Sequence, residues 1–440
     1  MFLGIGRYLV RSKICQNGRL AMKSALEWKT QGSFFQHTVA VPTLCRTSMR
    51  IQKVEHLDRE RNVSVCWEDG SKSLYPFIWL RDNCQCPECF LHSAKARKLD
   101  FAHLDVNTLV KKVALTEDSK VYIVWPDEHT SEFDPEWLKE RCFSQNARSE
   151  MQKKICVTDF MYWKSDLKIP TISYEDVLKS DKAAYKWLEA LRRVGVVLLK
   201  GAPAEVGAIT KLGERIGFLR MTFYGLTWHV KDKQDANNVA YTAGPLGVHT
   251  DYPVLHHSPG VQMIHCIQPA KSGGDSEIVD GFYVAKKLRQ EQPEAFQMLT
   301  SVLVNFVDTG TDYCDFHLHS KARIIQLDEK GEVVRINFNN ATRDSVFDIP
   351  VEKVQPFYTA LSYFVALLNK EENRICFTLE KGDVVVFDNW RVLHGRQNFE
   401  SEEQNPRHLE GCYLDWDEVM SRFRILQKAV CEDNEKTISK

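Results

Sequence analysis

No run of about 18 apolar residues occurs in this 440-residue chain, which excludes a membrane-spanning helix. Nor is there a surplus of charge of either sign: 58 Lys and Arg stand against 59 Asp and Glu. A protein that coats nucleic acid normally needs a basic surface, so that class of partner is excluded. No secretory signal is present, so the 13 cysteines read as buried thiols or metal ligands in a reducing compartment, not as disulfides. No internal repeat and no low-complexity segment is apparent. Acidic residues are nearly missing from the first 50 positions, where Glu27 is alone among Arg7, Arg11, Lys13, Arg19, Lys23, Lys29, Arg46 and Arg50. That composition is transit-peptide-like, and residues 1–48 are read as a leader or disordered segment outside the fold.

The remainder divides into a β-rich segment (49–145), a polar linker (146–168), a larger domain (169–430) and a tail (431–440). In the first segment, Val63-Ser64-Val65-Cys66-Trp67 alternates and runs into the turn pair Asp69-Gly70. Residues 121–125 and 131–133 predict two further strands, and Asp134 predicts an N-cap before Pro135. In the larger domain, apolar spacing predicts one helix over 174–194, ending before Gly195, and another over 208–216. Strand patterns follow at 196–199, 261–267, 334–338, 375–379 and 384–387, with a helix at 354–368. Short strands punctuated by turn residues predict a β-sandwich or jelly roll.

Two separated stretches carry the chemistry. His249 and Asp251 are two apart, which on a strand puts both side chains on one face. His394 lies far downstream in Asp388-Asn389-Trp390-Arg391-Val392-Leu393-His394-Gly395-Arg396. Two neutral imidazoles and one carboxylate on one face of Fe(II) leave open positions for a co-substrate and O2, the signature of non-heme iron oxygenases. His256, His257 and His265 are rival third ligands without a matching motif. Arg407, beyond the last ligand, is the candidate fork for the distal carboxylate of 2-oxoglutarate, with Arg391 and Arg396 as rivals.

Cys84, Cys86 and Cys89 pack three thiols into six residues, the pattern of a structural Cys3His zinc site. His92, His103 and His129 are each available as the fourth ligand. Tyr224, Trp228, Tyr241, Tyr252 and Tyr413 are candidates for an aromatic pocket that binds a quaternary ammonium by cation–π attraction. Asn238, Asn339 and Asn340 are candidate neutral donors for a substrate carboxylate.

The chain resembles the γ-butyrobetaine dioxygenase family from about residue 51 to the end. The resemblance rests on LYPFIWLRDNC (74–84), SAKARK (93–98), WPDEH (125–129), DANNVAY (235–241), GGDSEIVDG (273–281) and NFNNATRD (337–344). It implies a double-stranded β-helix (jelly-roll) oxygenase domain behind a small zinc-binding domain, an α+β fold that is mostly β. It implies Fe(II) on His249, Asp251 and His394, 2-oxoglutarate on Arg407, and zinc on Cys84, Cys86, Cys89 and His129. It implies a cage for a trimethylammonium carboxylate from Tyr224, Trp228, Tyr241 and Tyr413, with Asn238 and Tyr252 near the carboxylate. Hydroxylation of γ-butyrobetaine to L-carnitine by a homodimer, with ascorbate keeping the iron reduced, is the implied activity. Trimethyllysine dioxygenases are similar but lack the full cysteine pattern; a protein-directed methyl-lysine oxygenase and a non-catalytic metal-binding module are further readings. The leader composition favours a mitochondrial location and the resemblance a cytoplasmic one.

Overall fold

A computed structural model describes residues 50–155, 159–231, 238–400 and 406–438. The leader, and residues 235–237 of the DANNVAY stretch, lie outside the described residues. The chain forms two compact units, Met1–Ala147 and Arg148–Lys440.

The first unit is built twice from one pattern, although the sequence shows no repeat on inspection. Strands Ile51–Leu57, Asn62–Trp67 and Lys72–Pro76 make one antiparallel sheet; Lys112–Leu115, Val121–Val124 and Thr130–Phe133 make another. A short helix follows each, Phe77–Asp82 and Pro135–Glu140. Equivalent positions do equivalent work. Trp67 Nε1 donates to Ser73 Oγ at 2.9 Å, and Trp125 Nε1 to Ser131 Oγ at 2.8 Å. Arg61 and Ser119 adopt positive φ between the first two strands, as Gly70 and Glu128 do between the second two. The helical Trp79 and Trp137 face one another with ring centroids 5.3 Å apart. Few identities survive between the copies beyond these indole and hydroxyl positions, because the constraint is on burial pattern and turn geometry. The Asp134 cap forms as its position before Pro135 requires, its Oδ1 accepting from Glu136 N at 2.9 Å.

The second unit holds a six-stranded sheet in the order Thr227–Val230, His408–Leu414, Val261–Gln268, Val384–Asp388, Val196–Lys200, Thr171–Ser173. A four-stranded sheet has the order Leu246–His249, Val392–Arg396, Ser276–Asp280, Arg374–Phe377. Only the pair Thr171–Ser173 and Val196–Lys200 is parallel among the described pairings of these sheets. Val384 and Val386 pack among Trp187, Leu188 and Leu191 of the helix Asp181–Val194. Val385 and Phe387 turn the other way and share a core with Ile278 and Val392 of the four-stranded sheet. The period-2 alternation of a fully buried strand thus serves two layers at once.

Several expectations change here. The helix expected over 174–194 is two helices, Tyr174–Lys179 and Asp181–Val194, because Ser180 is extended and caps the second, its Oγ accepting from Ala183 N at 3.3 Å. Gly195 ends it in the left-handed region at φ 87°. Residues 146–168, expected as a linker, take in most of the helix Gln145–Ile155 and the buried Trp163, whose Nε1 donates to Val194 O at 2.7 Å. The terminal helix Trp416–Ile438 runs on into the expected tail as far as Ile438. Between strands Ser276–Asp280 and Arg374–Phe377 an insertion carries helices Gly281–Glu291, Pro293–Ser301 and Val351–Leu368 and the hairpin Val304–Thr311 with Asp315–Ala322.

Candidate metal centre and substrate cavity

His249 is the last residue of its strand and pairs in register with His394. Asp251 is not on that strand. The chain bends after His249, and Thr250 N donates to Phe338 O at 2.7 Å. Asn389 then holds the bend: Asp251 N donates to Asn389 Oδ1 at 2.7 Å, and Asn389 Nδ2 donates to Asp251 O and Pro259 O, each at 2.9 Å. The shared face expected from strand geometry is therefore reached by a turn and a side-chain clamp. His249 Nε2 lies 3.1 Å from Asp251 Oδ1, and His394 Nε2 lies 3.8 Å from it. One ligand atom from each of the three residues falls within 4.8 Å of the others.

This donor set fits a divalent iron. His249 Nδ1 is engaged with Gly247 O at 2.9 Å, which leaves Nε2 for the metal. Burial, and then the neighbouring His249, push His394 down to about 3, so its ring is neutral and its lone pair available. Burial works against the charge on Asp251, yet hydrogen bonds from His249 and the Tyr413 hydroxyl hold its carboxyl well below the usual range. Tyr413 donates to Asp251 Oδ2 at 2.5 Å.

The rival ligands lie elsewhere. His257 Nε2 is 3.6 Å from Asp415 Oδ1, His256 is exposed, and His265 is buried 3.9 Å from Glu410. The rival arginines are occupied. Arg391 forks onto Asp280 at 2.7 and 3.0 Å and donates to Arg193 O and Met161 O. Arg396 donates to Ala240 O, Thr242 O and Gly244 O. Arg407 is 6% exposed and has no carboxylate within ion-pair distance among the described residues. Burial, and then Arg396, bring its guanidinium down to about 10.

A cavity of about 340 Å³ opens on His249 and Asp251. Tyr224, Trp228, Asn238, Tyr241, Tyr252, Asn339 and Tyr413 all line it, together with His249 and Asp251. Trp228 and Tyr413 stack with centroids 4.1 Å apart and planes 24° from parallel. They come from adjacent strands, where Trp228 pairs with Gly411. Asn238 Nδ2 donates to Tyr224 Oη at 3.0 Å. Asn340 is not in this lining and accepts from Arg343 at 3.2 Å. Three residues escaped the sequence reading: Asn389, Asp308 and Thr342. Asn389 lies within the motif around His394 and could have been noticed there. Thr342 lies within the NFNNATRD stretch and could have been noticed there too, whereas Asp308 carries no local signal.

In the first unit, His129 Nε2 lies 3.3, 3.6 and 3.5 Å from the Sγ atoms of Cys84, Cys86 and Cys89. His92 turns to Gln85 O at 2.9 Å, and His103 is exposed near Asp100. The cysteines follow the helix Phe77–Asp82 of the first copy, and His129 sits in the hairpin turn of the second. Three thiols around one imidazole is a tetrahedral soft-ligand set that fits zinc.

Residues 160–413 match the taurine catabolism dioxygenase TauD, TfdA family, and residues 54–139 match the gamma-butyrobetaine hydroxylase-like N-terminal family. The chain is 56% identical to a gamma-butyrobetaine dioxygenase of Homo sapiens over 384 residues, covering 87% of this chain and 99% of that one. It is 36% identical to the gamma-butyrobetaine dioxygenase of Pseudomonas sp. strain AK-1, covering 83% and 94%. A mitochondrial trimethyllysine dioxygenase of Homo sapiens is 30% identical, covering 80% and 82%. Matched along nearly the full length of its human relative and carrying both family regions in order, the chain belongs to the gamma-butyrobetaine dioxygenases of the TauD, TfdA dioxygenase family.

Proposed function

We propose that this protein hydroxylates γ-butyrobetaine at the carbon β to its carboxylate, giving L-carnitine, with 2-oxoglutarate and O2 consumed and succinate and CO2 released. The observation that carries the reading is an aromatic cavity, without a Lys or Arg among its described lining residues, opening directly onto His249 and Asp251. A free trimethylammonium carboxylate matches such a cavity: aromatic faces attract a cation that has no N–H to donate. The greater identity to gamma-butyrobetaine dioxygenases than to trimethyllysine dioxygenases supports this substrate over the longer amino acid.

His249, Asp251 and His394 would hold Fe(II), whose chemistry couples oxidative decarboxylation of 2-oxoglutarate to insertion of one oxygen atom of O2 into a substrate C–H bond. The chain's own work is positioning. Arg407 would grip the distal carboxylate of 2-oxoglutarate, in keeping with its burial and lack of an acidic partner among the described residues. Tyr224, Trp228, Tyr241 and Tyr413 would enclose the trimethylammonium group. Asn238, Tyr252 and Asn339 would meet the substrate carboxylate without burying a second charge.

The two sheets of the second unit would be the two faces of a double-stranded β-helix. Zn(II) on Cys84, Cys86, Cys89 and His129 would be structural, since all four positions of a tetrahedral ion are then filled. A homodimer, with ascorbate as the reductant that keeps the iron ferrous, completes the reading. No helix among the described residues is long and apolar enough to cross a membrane. Residues 1–48 have the composition of a mitochondrial import signal, and a cytoplasmic location is the alternative.

The deciding experiment offers γ-butyrobetaine and trimethyllysine in parallel to the purified protein with Fe(II), ascorbate, 2-oxoglutarate and O2. Carnitine in step with succinate is expected. Hydroxytrimethyllysine instead would overturn the substrate and leave the iron chemistry standing. No coupled succinate from either, with iron verified bound, would direct attention to a methylated peptide.

A further inference from the structure

Two carboxylates face the cavity among its described lining residues, Asp251 and Asp308. Asp251 is committed to the triad and to the Tyr413 hydroxyl. Asp308 has no such commitment. It lies on the strand Val304–Thr311 of the insertion, where it pairs across the hairpin with Leu318. It has no ion pair among the described residues, and no Lys or Arg shares the described lining with it. A half-buried carboxylate left without a cation is costly unless something brings one.

Asp308 shares the cavity lining with Tyr224 and Tyr252, and its charge acts on both hydroxyls. Phe316 of the same hairpin packs on the Tyr224 ring with centroids 5.6 Å apart, and Tyr224 stands 5.8 Å from Tyr252. Burial raises the Asp308 carboxyl above its ordinary value, a hydrogen bond from the Thr309 backbone opposes the rise, and the charge of Asp251 adds to it. A cation entering beside it would relieve that strain. Cation–π attraction is short-ranged and says little about which end of a zwitterion enters first. A fixed negative charge acts further, drawing the ammonium and repelling the carboxylate.

We infer that Asp308 is the charge selector of this cavity, the carboxylate that distinguishes a cationic trimethylammonium head from a neutral one of the same shape and orients the zwitterion. The inference rests on the proposed betaine substrate. It assigns Asp308 a specificity role without contact to the reacting carbon.

The test compares γ-butyrobetaine with its neutral-headed carbon isostere, 5,5-dimethylhexanoate, on the full chain loaded with iron. Asp308→Asn should raise KM for γ-butyrobetaine about tenfold with kcat within about twofold. The isostere, read as a substrate or as a competitive inhibitor, should bind the variant as well as or better than it binds the wild type. Asp308→Glu should restore most of the betaine affinity. Equal losses for both compounds, or no change for either, would overturn the role. Should Asp308→Asn prove unfolded, Asp308→Ser repeats the comparison with a smaller side chain at the same strand position. Failure of the wild type to turn over γ-butyrobetaine would instead count against the proposed function.

Discussion

The side-chain amide of Asn389 and the backbone of Asp251 are joined by a reciprocal pair of hydrogen bonds, 2.7 Å from Asp251 N to Oδ1 and 2.9 Å from Nδ2 to Asp251 O. A residue on the loop before one proposed iron ligand thereby sets the backbone of another. The third bond, to Pro259 O, ties the amide to the entry of the strand Val261–Gln268.

Asn389→Ala removes both halves of that clamp. Iron affinity should fall about 10–100-fold, as it does when the partners of metal ligands are lost. Iron titration followed by turnover at saturating metal checks this. Activity recovering at high Fe(II) is expected, and unchanged iron affinity would refute the clamp.

His249→Ala takes away a ligand itself. The protein should retain its fold and lose both bound iron and coupled succinate formation. Metal analysis beside the activity assay decides it: full turnover with normal iron content would refute the ligand assignment.

Tyr413→Phe separates two functions of one ring. The stack on Trp228 at 4.1 Å should survive, while the hydroxyl on Asp251 Oδ2 is lost. The larger effect should therefore fall on kcat and on the iron-site spectrum, with KM for the betaine moving less. The reverse pattern would mean that the hydroxyl serves the substrate.

Gly411 lies beneath the indole of Trp228, and a Cβ there would come within 2.4 Å of Trp228 Cε2. Gly411→Ala must push the indole aside, at an overpacking cost of about 1–3 kcal/mol. KM for γ-butyrobetaine should rise while bound iron is unchanged. An unaltered KM would show that Trp228 does not hold the substrate.

Cys84→Ser should lower zinc content from about one per chain and reduce the melting temperature of the Met1–Ala147 unit. Each kcal/mol lost shifts the midpoint of a 60–100-residue domain by about 4–8 °C. Calorimetry with metal analysis reads both quantities, and a protein that binds no zinc but melts as the wild type does would dismiss the site.

Much was legible without coordinates because it is local. An unbroken apolar run at 384–387 marks a buried strand, Gly195 marks the end of a helix, and Asp134 before Pro135 marks the start of one. Each depends on neighbours within a few residues. The sequence also determined which residue types were available as ligands, since His249, Asp251, His394 and the Cys84–Cys86–Cys89 cluster are written in short motifs. Helix 174–194 was misread as continuous because its apolar spacing carries through Ser180, where a single extended residue and its hydroxyl break the hydrogen-bond ladder. The duplication in the first unit escaped because Trp67 and Trp125 share a burial role and a hydroxyl partner within largely different sequences.

Tertiary structure alone decided the rest. Strand pairing brings His249 opposite His394, and a turn held by Asn389 carries Asp251 to them. Engagement of Arg391 by Asp280 and of Arg396 by backbone carbonyls, with no acidic partner for Arg407 among the described residues, distinguishes three arginines that look alike in sequence. The insertion delivers Asp308, more than 50 residues from either iron motif, to the cavity wall. Local chemistry fixes which groups exist, but long-range pairing fixes which of them meet, because a contact between distant strands leaves no periodic trace in the chain between them.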